Sequence, residues 1–342
     1  MNKLLEPKPI EAVILALPET AGSALYGMVD VLASTGTLWR ELVGEDPGPR
    51  MIEPRIVSRD RKTFKCGNGI PVTPDLTIEE ILAPKILILP ELWLLPTDDM
   101  RDRYADLKEW IRGCYENGSM IYTACSGSVL LAATGLLDGR EATSHWGYQD
   151  LFLKSFPEVH FNPVPNLVIA DQTARIVTAG GTTSWHDLAL HIIARHCSPG
   201  EALRIAKVYL LKWHSEGQLP FQSLIRHQPH ADSIVRSAEN WLAANFREPD
   251  TVSKAIAALS VPERSLKRRF KVATGSTLIE RVQNLRVEEA KRLLETCSIP
   301  VDDVAAEVGY ENQAFFRRIF KRSTGLTPAA YRRMFSLHEG AE

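Results

Sequence analysis

The chain is 342 residues long, 44% apolar and 24% charged, with a net charge of −2. That length accommodates two domains, and the composition excludes a disordered, collagen-like or membrane-embedded chain. Five scattered cysteines with no CxxC pair argue against a disulfide framework and a zinc module, so neither a metal nor another cofactor is expected.

The N-terminal stretch MNKLLEPKPIEAVILALPE is broken by charge and proline and lacks a secretory-leader pattern, so a cytoplasmic protein is expected. From residue 11 to about 196, short apolar runs alternate with amphipathic stretches. AVILALP (12–18), RIVS (55–58), KILILP (85–90), SMIYTAC (119–125), LVIA (167–170) and RIVTAG (175–180) read as buried strands. Helical patterns over 22–42, 98–117, 127–135 and 184–196 lie between or after them, and 201–213 continues as a further helix. The alternation predicts an α/β domain over 1–213: a doubly wound, largely parallel sheet covered on both faces. Residues 214–230, with Gly, two Pro and three His, read as a polar linker rather than a metal site.

From 231 to 335 the pattern is all helix, and 336–342 is a tail. Pro249 ends a first helix, and a short one follows. Ser260-Val261-Pro262-Glu263 has the form of a capping box for ERSLKRRFKVAT, which Gly275 would close. A connecting helix fills 277–296 until Pro300 breaks it. A short helix, a turn at Gly309-Tyr310 and a long helix then repeat the earlier pattern, with Gly325 as the stop. Residues 255–277 align with 305–327 at an offset of 50, with seven identities: Ala255/Ala305, Arg268/Arg318, Phe270/Phe320, Lys271/Lys321, Thr274/Thr324, Gly275/Gly325 and Thr277/Thr327.

Such a doubled unit predicts two helix-turn-helix modules able to enter successive turns of one groove. Charge supports the reading: residues 1–229 hold 22 Lys and Arg against 27 Asp and Glu, while 230–336 hold 18 against 13. Leu266, Phe270, Phe316 and Phe320 take inward positions. Arg264, Lys267, Arg268 and Lys271 in the first copy, and Gln313, Arg317, Arg318 and Lys321 in the second, take outward ones. Arginine can pair with guanine and glutamine with adenine, so these are candidate base readers, with lysines on phosphates.

LKRRFKVATG, RVEEAKRLLE and IPVDDVAAEVGYENQAFFRRIFKRSTGLTPAAYRR, with their spacing, closely resemble the C-terminal domain of AraC/XylS-family transcription regulators. The resemblance implies seven helices, with base contacts at Arg264, Lys267, Arg268, Gln313, Arg317 and Arg318. It also implies promoter DNA and RNA polymerase as partners, with activation the commoner outcome.

In the first domain, MIYTACSGSVLLAATGLLDG runs an apolar strand through Cys125 into a helix, the form of a nucleophile elbow. A helix N-terminus would favour the thiolate, and His145 in ATSHW stands as a candidate base. With AVILALPET and MVDVL, these segments make residues 11–196 similar to the DJ-1/PfpI group of the class I glutamine-amidotransferase-like fold, which is flavodoxin-like. LLDGREATSHW is typical of the GlxA-like subfamily of regulators that join this domain to an AraC-type one. Against that group's pattern, Ala24 stands where its acidic partner of the cysteine would be, Glu91-Leu92 replace its paired glycines, and Ser126 follows the cysteine. The expectation is a non-enzymatic, dimeric regulator sensing a small nitrogenous effector, such as an amino acid or quaternary ammonium compound. Glu19, Cys125, Ser126, His145 and Trp146 are pocket candidates, and Trp93 and Trp185 are available aromatics. A cysteine-dependent amidase or glyoxalase-like enzyme fused to a DNA-binding domain is the alternative.

Overall fold

The structure, a computed structural model, describes residues 8–225 and 230–336. The chain divides after Gln218 into two compact units.

In chain order the first unit holds β1 (Ile10–Leu15), α1 (Gly22–Ala33), α2 (Leu38–Leu42), β2 (Ile52–Ser58), β3 (Phe64–Cys66), β4 (Ile70–Val72), β5 (Leu76–Thr77), β6 (Ile86–Leu89), α3 (Ala105–Glu116), β7 (Met120–Ala124), α4 (Gly127–Ala133), β8 (Glu141–Ala142), α5 (Gln149–Ser155), β9 (His160–Phe161), β10 (Leu167–Ile169), β11 (Ile176–Ala179), α6 (Trp185–His196) and α7 (Pro199–Val208). Seven strands form one sheet in the order β10-β11-β7-β6-β1-β2-β5, parallel throughout except for β10 at the edge. Strand alternation sends Ala12 and Ile14 into a core with α1 and α6, and Val13 and Leu15 into another with α3, α4 and α5. This is the doubly wound arrangement expected for a parallel sheet buried on both faces.

Two helical expectations are corrected. The 22–42 stretch is split, because Gly36 at φ 82° brings its backbone against the carbonyl of Pro49, and Glu201 accepts the Gly36 N–H at 2.7 Å. The 201–213 helix instead starts at Pro199, where the Ser198 hydroxyl accepts the Glu201 N–H. It stops before Leu210, which is left-handed (φ 55°) and solvent-exposed.

The segment expected as a linker is anchored at both ends. His214 bonds Asp187 at 2.6 Å, and Gln218 donates to Ser144 and Thr143 within the first unit. In the second unit, Lys291 donates to the carbonyl of Gln222, and Glu288 accepts the N–H of Leu224. Residues 226–229, including His227, lie outside the described residues.

The second unit is seven helices: α8 (Ser233–Asn245), α9 (Thr251–Leu259), α10 (Glu263–Thr274), α11 (Leu278–Thr296), α12 (Val301–Glu307), α13 (Gln313–Thr324) and α14 (Pro328–Phe335). It has two cores. Val235, Leu242, Ala255, Leu266 and Phe270 pack with Leu278, Val282 and Leu285 of α11. Val304, Ala305, Phe316, Phe320 and Tyr331 pack with Val287, Ala290 and Leu294 of the same helix.

The repeated residues are explained by this packing. Ala255 and Ala305 are fully buried where each short helix crosses its long one. Thr274 and Thr324 each turn a hydroxyl back to the carbonyl four residues earlier, Phe270 and Phe320. Gly275 and Gly325 are left-handed C-caps at φ 71° and 76°. Thr277 and Thr327 then N-cap the next helix.

The expected capping box at Ser260–Glu263 does not form. Ser260 is itself left-handed (φ 52°) as the C-cap of α9, and α10 starts from Pro262 without a side-chain cap. The box forms at Thr277 and Glu280 instead.

Candidate DNA-reading surface and the cysteine elbow

Helices α10 and α13 bury one stripe each and leave the opposite one in solvent. Leu266, Phe270, Phe316 and Phe320 are fully buried, and every candidate reader, Arg264, Lys267, Arg268, Lys271, Gln313, Arg317, Arg318 and Lys321, is exposed. Their surroundings differ. Arg264 and Arg268 make no ion pair among the described residues. Lys267 pairs with Glu263, and Lys271 lies 3.7 Å from Glu280. Arg317 pairs with Asp302 at 2.5 Å, and the Gln313 amide, oriented to satisfy its neighbours, donates to the same carboxylate at 3.2 Å. Arg318 stacks on the Phe315 ring at 5.2 Å, which holds the guanidinium without using its N–H groups. Asp302 thus neutralises part of the second reading face, a role its place on the preceding short helix did not reveal.

In the first unit, β7 runs into Cys125 and out into α4. Cys125 has φ 51°, the strained left-handed turn of an elbow. The turn is tight because Gly127 sits against Leu89: a Cβ there would be 2.2 Å from its carbonyl oxygen. The elbow does not present a thiolate. Cys125 is 2% exposed, and burial, then the nearby Glu91 carboxyl, pushes its thiol well above the ordinary range. The expectation of an activated thiolate is therefore corrected: desolvation outweighs any helix-terminus effect from the seven-residue α4.

Glu91 is the acidic neighbour that sequence reasoning had set aside as a replaced glycine. Its Oε1 lies 3.6 Å from the Cys125 sulfur and accepts the Thr182 hydroxyl at 3.0 Å, while Oε2 is buried without a partner. Burial raises its pKa above the usual carboxylate value. Glu19 is held elsewhere, by Arg103 at 2.7 Å and the Tyr104 hydroxyl at 2.9 Å. Ser126 is fully buried, and its hydroxyl both donates to and accepts from the Leu92 backbone, pinning the 90–93 loop. Ala24 is buried in α1.

His145 Nδ1 accepts the Gly147 N–H at 3.0 Å, so the remaining proton of the neutral ring sits on Nε2. Burial lowers its basicity, and no hydrogen bond joins it to Cys125 among the described residues. Trp146 stacks on the His145 ring at 4.9 Å. Trp93 is 58% exposed, and Trp185 lies under α1 against Gly27. A cleft of about 800 Å³ lies apart from the elbow, lined by Glu141, Asn162, the β10 edge, Asp187, Trp213 and Glu216. Among the described residues, no group of three His, Cys, Asp or Glu could hold a metal ion, and no helix is long and apolar enough to cross a membrane.

Comparison with known proteins matches residues 256–334 to a helix-turn-helix domain and residues 35–195 to the DJ-1/PfpI family. The chain thus joins a DJ-1/PfpI domain to a helix-turn-helix domain of AraC type. It is 27% identical to the HTH-type transcriptional regulator CdhR of Pseudomonas aeruginosa over 82% of each chain. It is 29% identical to the HTH-type transcriptional regulator GlxA of Rhizobium meliloti over 61% of this chain and 63% of that one. A solved protein structure from Vibrio parahaemolyticus shares the fold at 20% identity and TM-score 0.50, covering 60% of this chain and all of that one. These relatives are transcription regulators rather than enzymes, which sets aside the enzyme alternative. The AraC-type chain is a DNA-binding transcription regulator.

Proposed function

We propose that residues 264–271 and 313–321 read two successive major-groove segments of promoter DNA, and that the α/β domain over 1–213 sets this binding in response to a small effector. The observation that carries the proposal is the pair of exposed cationic faces, on α10 and α13, mounted on the single connecting helix α11. Arg264, Arg268 and Arg318 are the base readers with the freest donor groups. Lysines 267, 271 and 321 hold phosphates, and Gln313 and Arg317 read once they leave Asp302.

The effector pocket of this reading is the elbow. The buried, unpartnered Glu91 oxygen and the neighbouring Cys125 and Thr182 favour a nitrogenous ligand that can donate a hydrogen bond, with His145 and Trp146 beside them. The regulator works in the cytoplasm as a homodimer and recruits RNA polymerase as an activator. The test is DNA selection with the full chain, followed by titration across salt. Two selected sequence boxes and affinity falling steeply with salt are expected. Salt-independent binding, or no binding, overturns the reading.

A further inference from the structure

The two cores of the DNA-binding unit are separate clusters that share only α11. Leu285 is the last α11 residue in the first core, and Val287 is the first in the second. Arg286 occupies the crossover between them. Its Nε donates to the Phe246 carbonyl at 2.7 Å and its Nη2 to the Glu248 carbonyl at 2.9 Å, both in the loop between α8 and α9. Its guanidinium carbon stands 5.0 Å from the centre of the Tyr310 ring, in the turn between α12 and α13. One side chain therefore grips the loop that leads into the first helix-turn-helix and the turn of the second.

Two further contacts follow the same seam. Gly309, at φ 87°, lies so close to Arg247 that a Cβ would be 2.4 Å from its carbonyl oxygen. Arg247 in turn pairs with Glu289 of α11 at 2.5 Å. The seam is not packed solid. A cavity of about 240 Å³ opens beside Thr251, Val282, Gln283, Arg286, Tyr310 and Phe315, and the Tyr310 hydroxyl is buried there without a hydrogen-bond partner. With free space at the junction and no shared core, apolar packing alone leaves the two modules room to swing about α11. Directed bonds have to set their relation.

We infer that Arg286 is a positioning residue that fixes the separation and rotation of the two recognition helices, and so selects the spacing between the two DNA boxes the regulator accepts. The inference rests on the two-module reading above. Arginine suits the task because its planar fork satisfies two carbonyls while its face stacks on an aromatic ring, and lysine can do only part of this.

The experiment uses the full chain and a random-sequence duplex library of about 40 base pairs, long enough for two boxes about one turn apart. Wild type should select two boxes at one separation, and one inserted base pair should weaken binding about tenfold. Arg286→Met should select the same boxes at scattered separations, bind the inserted duplex within about twofold of the parent, and keep wild-type affinity for either box alone. A thermal melt reports whether this variant folds. If it does not, Arg286→Lys carries the same comparison with a broadened but not lost spacing preference. A folded variant that keeps the sharp spacing overturns the inference, as does one that weakens single boxes and the double site equally. A wild type that selects only one box removes the two-module reading itself.

Discussion

Cys125 and Glu91 face each other with 3.6 Å between sulfur and carboxyl oxygen; burial, then the Glu91 carboxyl, pushes the thiol up, while burial raises Glu91 against the lowering effect of hydrogen bonds from Thr182 and Cys125. A thiol and a carboxyl held together out of water cannot both ionise without unpaired charge in a low-dielectric site. The elbow is architecturally intact and chemically quiet. Native-state iodoacetamide at neutral pH should therefore label the partly exposed Cys197 and Cys297 before Cys125 and Cys114, read by peptide mass. Rapid labelling of Cys125 would restore the thiolate reading. Cys125→Ala should fold with a loss of about 1 kcal/mol and leave basal DNA binding intact.

Asp302 holds Arg317 and Gln313 in the unbound protein. Asp302→Asn should raise DNA affinity and steepen the slope of log K against log salt by about one charge, because Arg317 no longer exchanges a protein carboxylate for a phosphate. The exposed pair itself is worth at most about 1 kcal/mol of stability, so the melting temperature should barely move. An unchanged salt slope would show that Arg317 stays off the DNA.

Arg268 and Arg318 occupy matched places in the repeat and are both exposed. Arg268→Ala and Arg318→Ala should each relax base preference in a different box and cost about 1–3 kcal/mol there. Selection with each variant checks this. A uniform loss across all sequences would make them phosphate contacts.

His196 hydrogen-bonds the Tyr122 hydroxyl at 2.8 Å, and burial, reinforced by Lys85 and Arg195, lowers its pKa to about 4. The folded value lies below the ordinary histidine value, so the unfolded chain binds the extra proton. Stability is complete above about pH 6.5 and is lost as pH falls toward about 4. Allowing for partial solvent screening, the loss is about 1–2 kcal/mol. Thermal melts over that range should flatten in His196→Gln, and an unchanged profile would assign the acid sensitivity to other groups.

Thr277 caps α11 and Thr327 caps α14, but only Thr277 completes a reciprocal box with a glutamate. Thr277→Ala should cost about 1 kcal/mol or somewhat more, and Thr327→Ala about 1 kcal/mol or less. Chemical denaturation of the two variants gives the order directly, and a larger loss at Thr327 would contradict it.

The sequence by itself determined both domain types. Apolar runs alternating with amphipathic stretches specify a parallel sheet, because a strand buried on both faces must be apolar throughout. The 50-residue repeat specifies two identical module ends, because a hydroxyl, a left-handed glycine and a second hydroxyl are the local chemistry of stopping one helix and starting the next. The elbow was legible for the same local reason. What only the tertiary structure decided depends on residues far apart in the chain. Glu91 reaches Cys125 across 34 positions and adds to the burial that pushes its thiol up. Asp302 reaches Arg317 across 15, and Arg286 reaches Phe246 across 40. Ser260 shows the limit even locally: its motif promised a cap, but the turn between two packed helices demanded a left-handed residue there. Desolvation and ion pairing are set by what the fold brings near, and no periodicity or spacing along the chain encodes them.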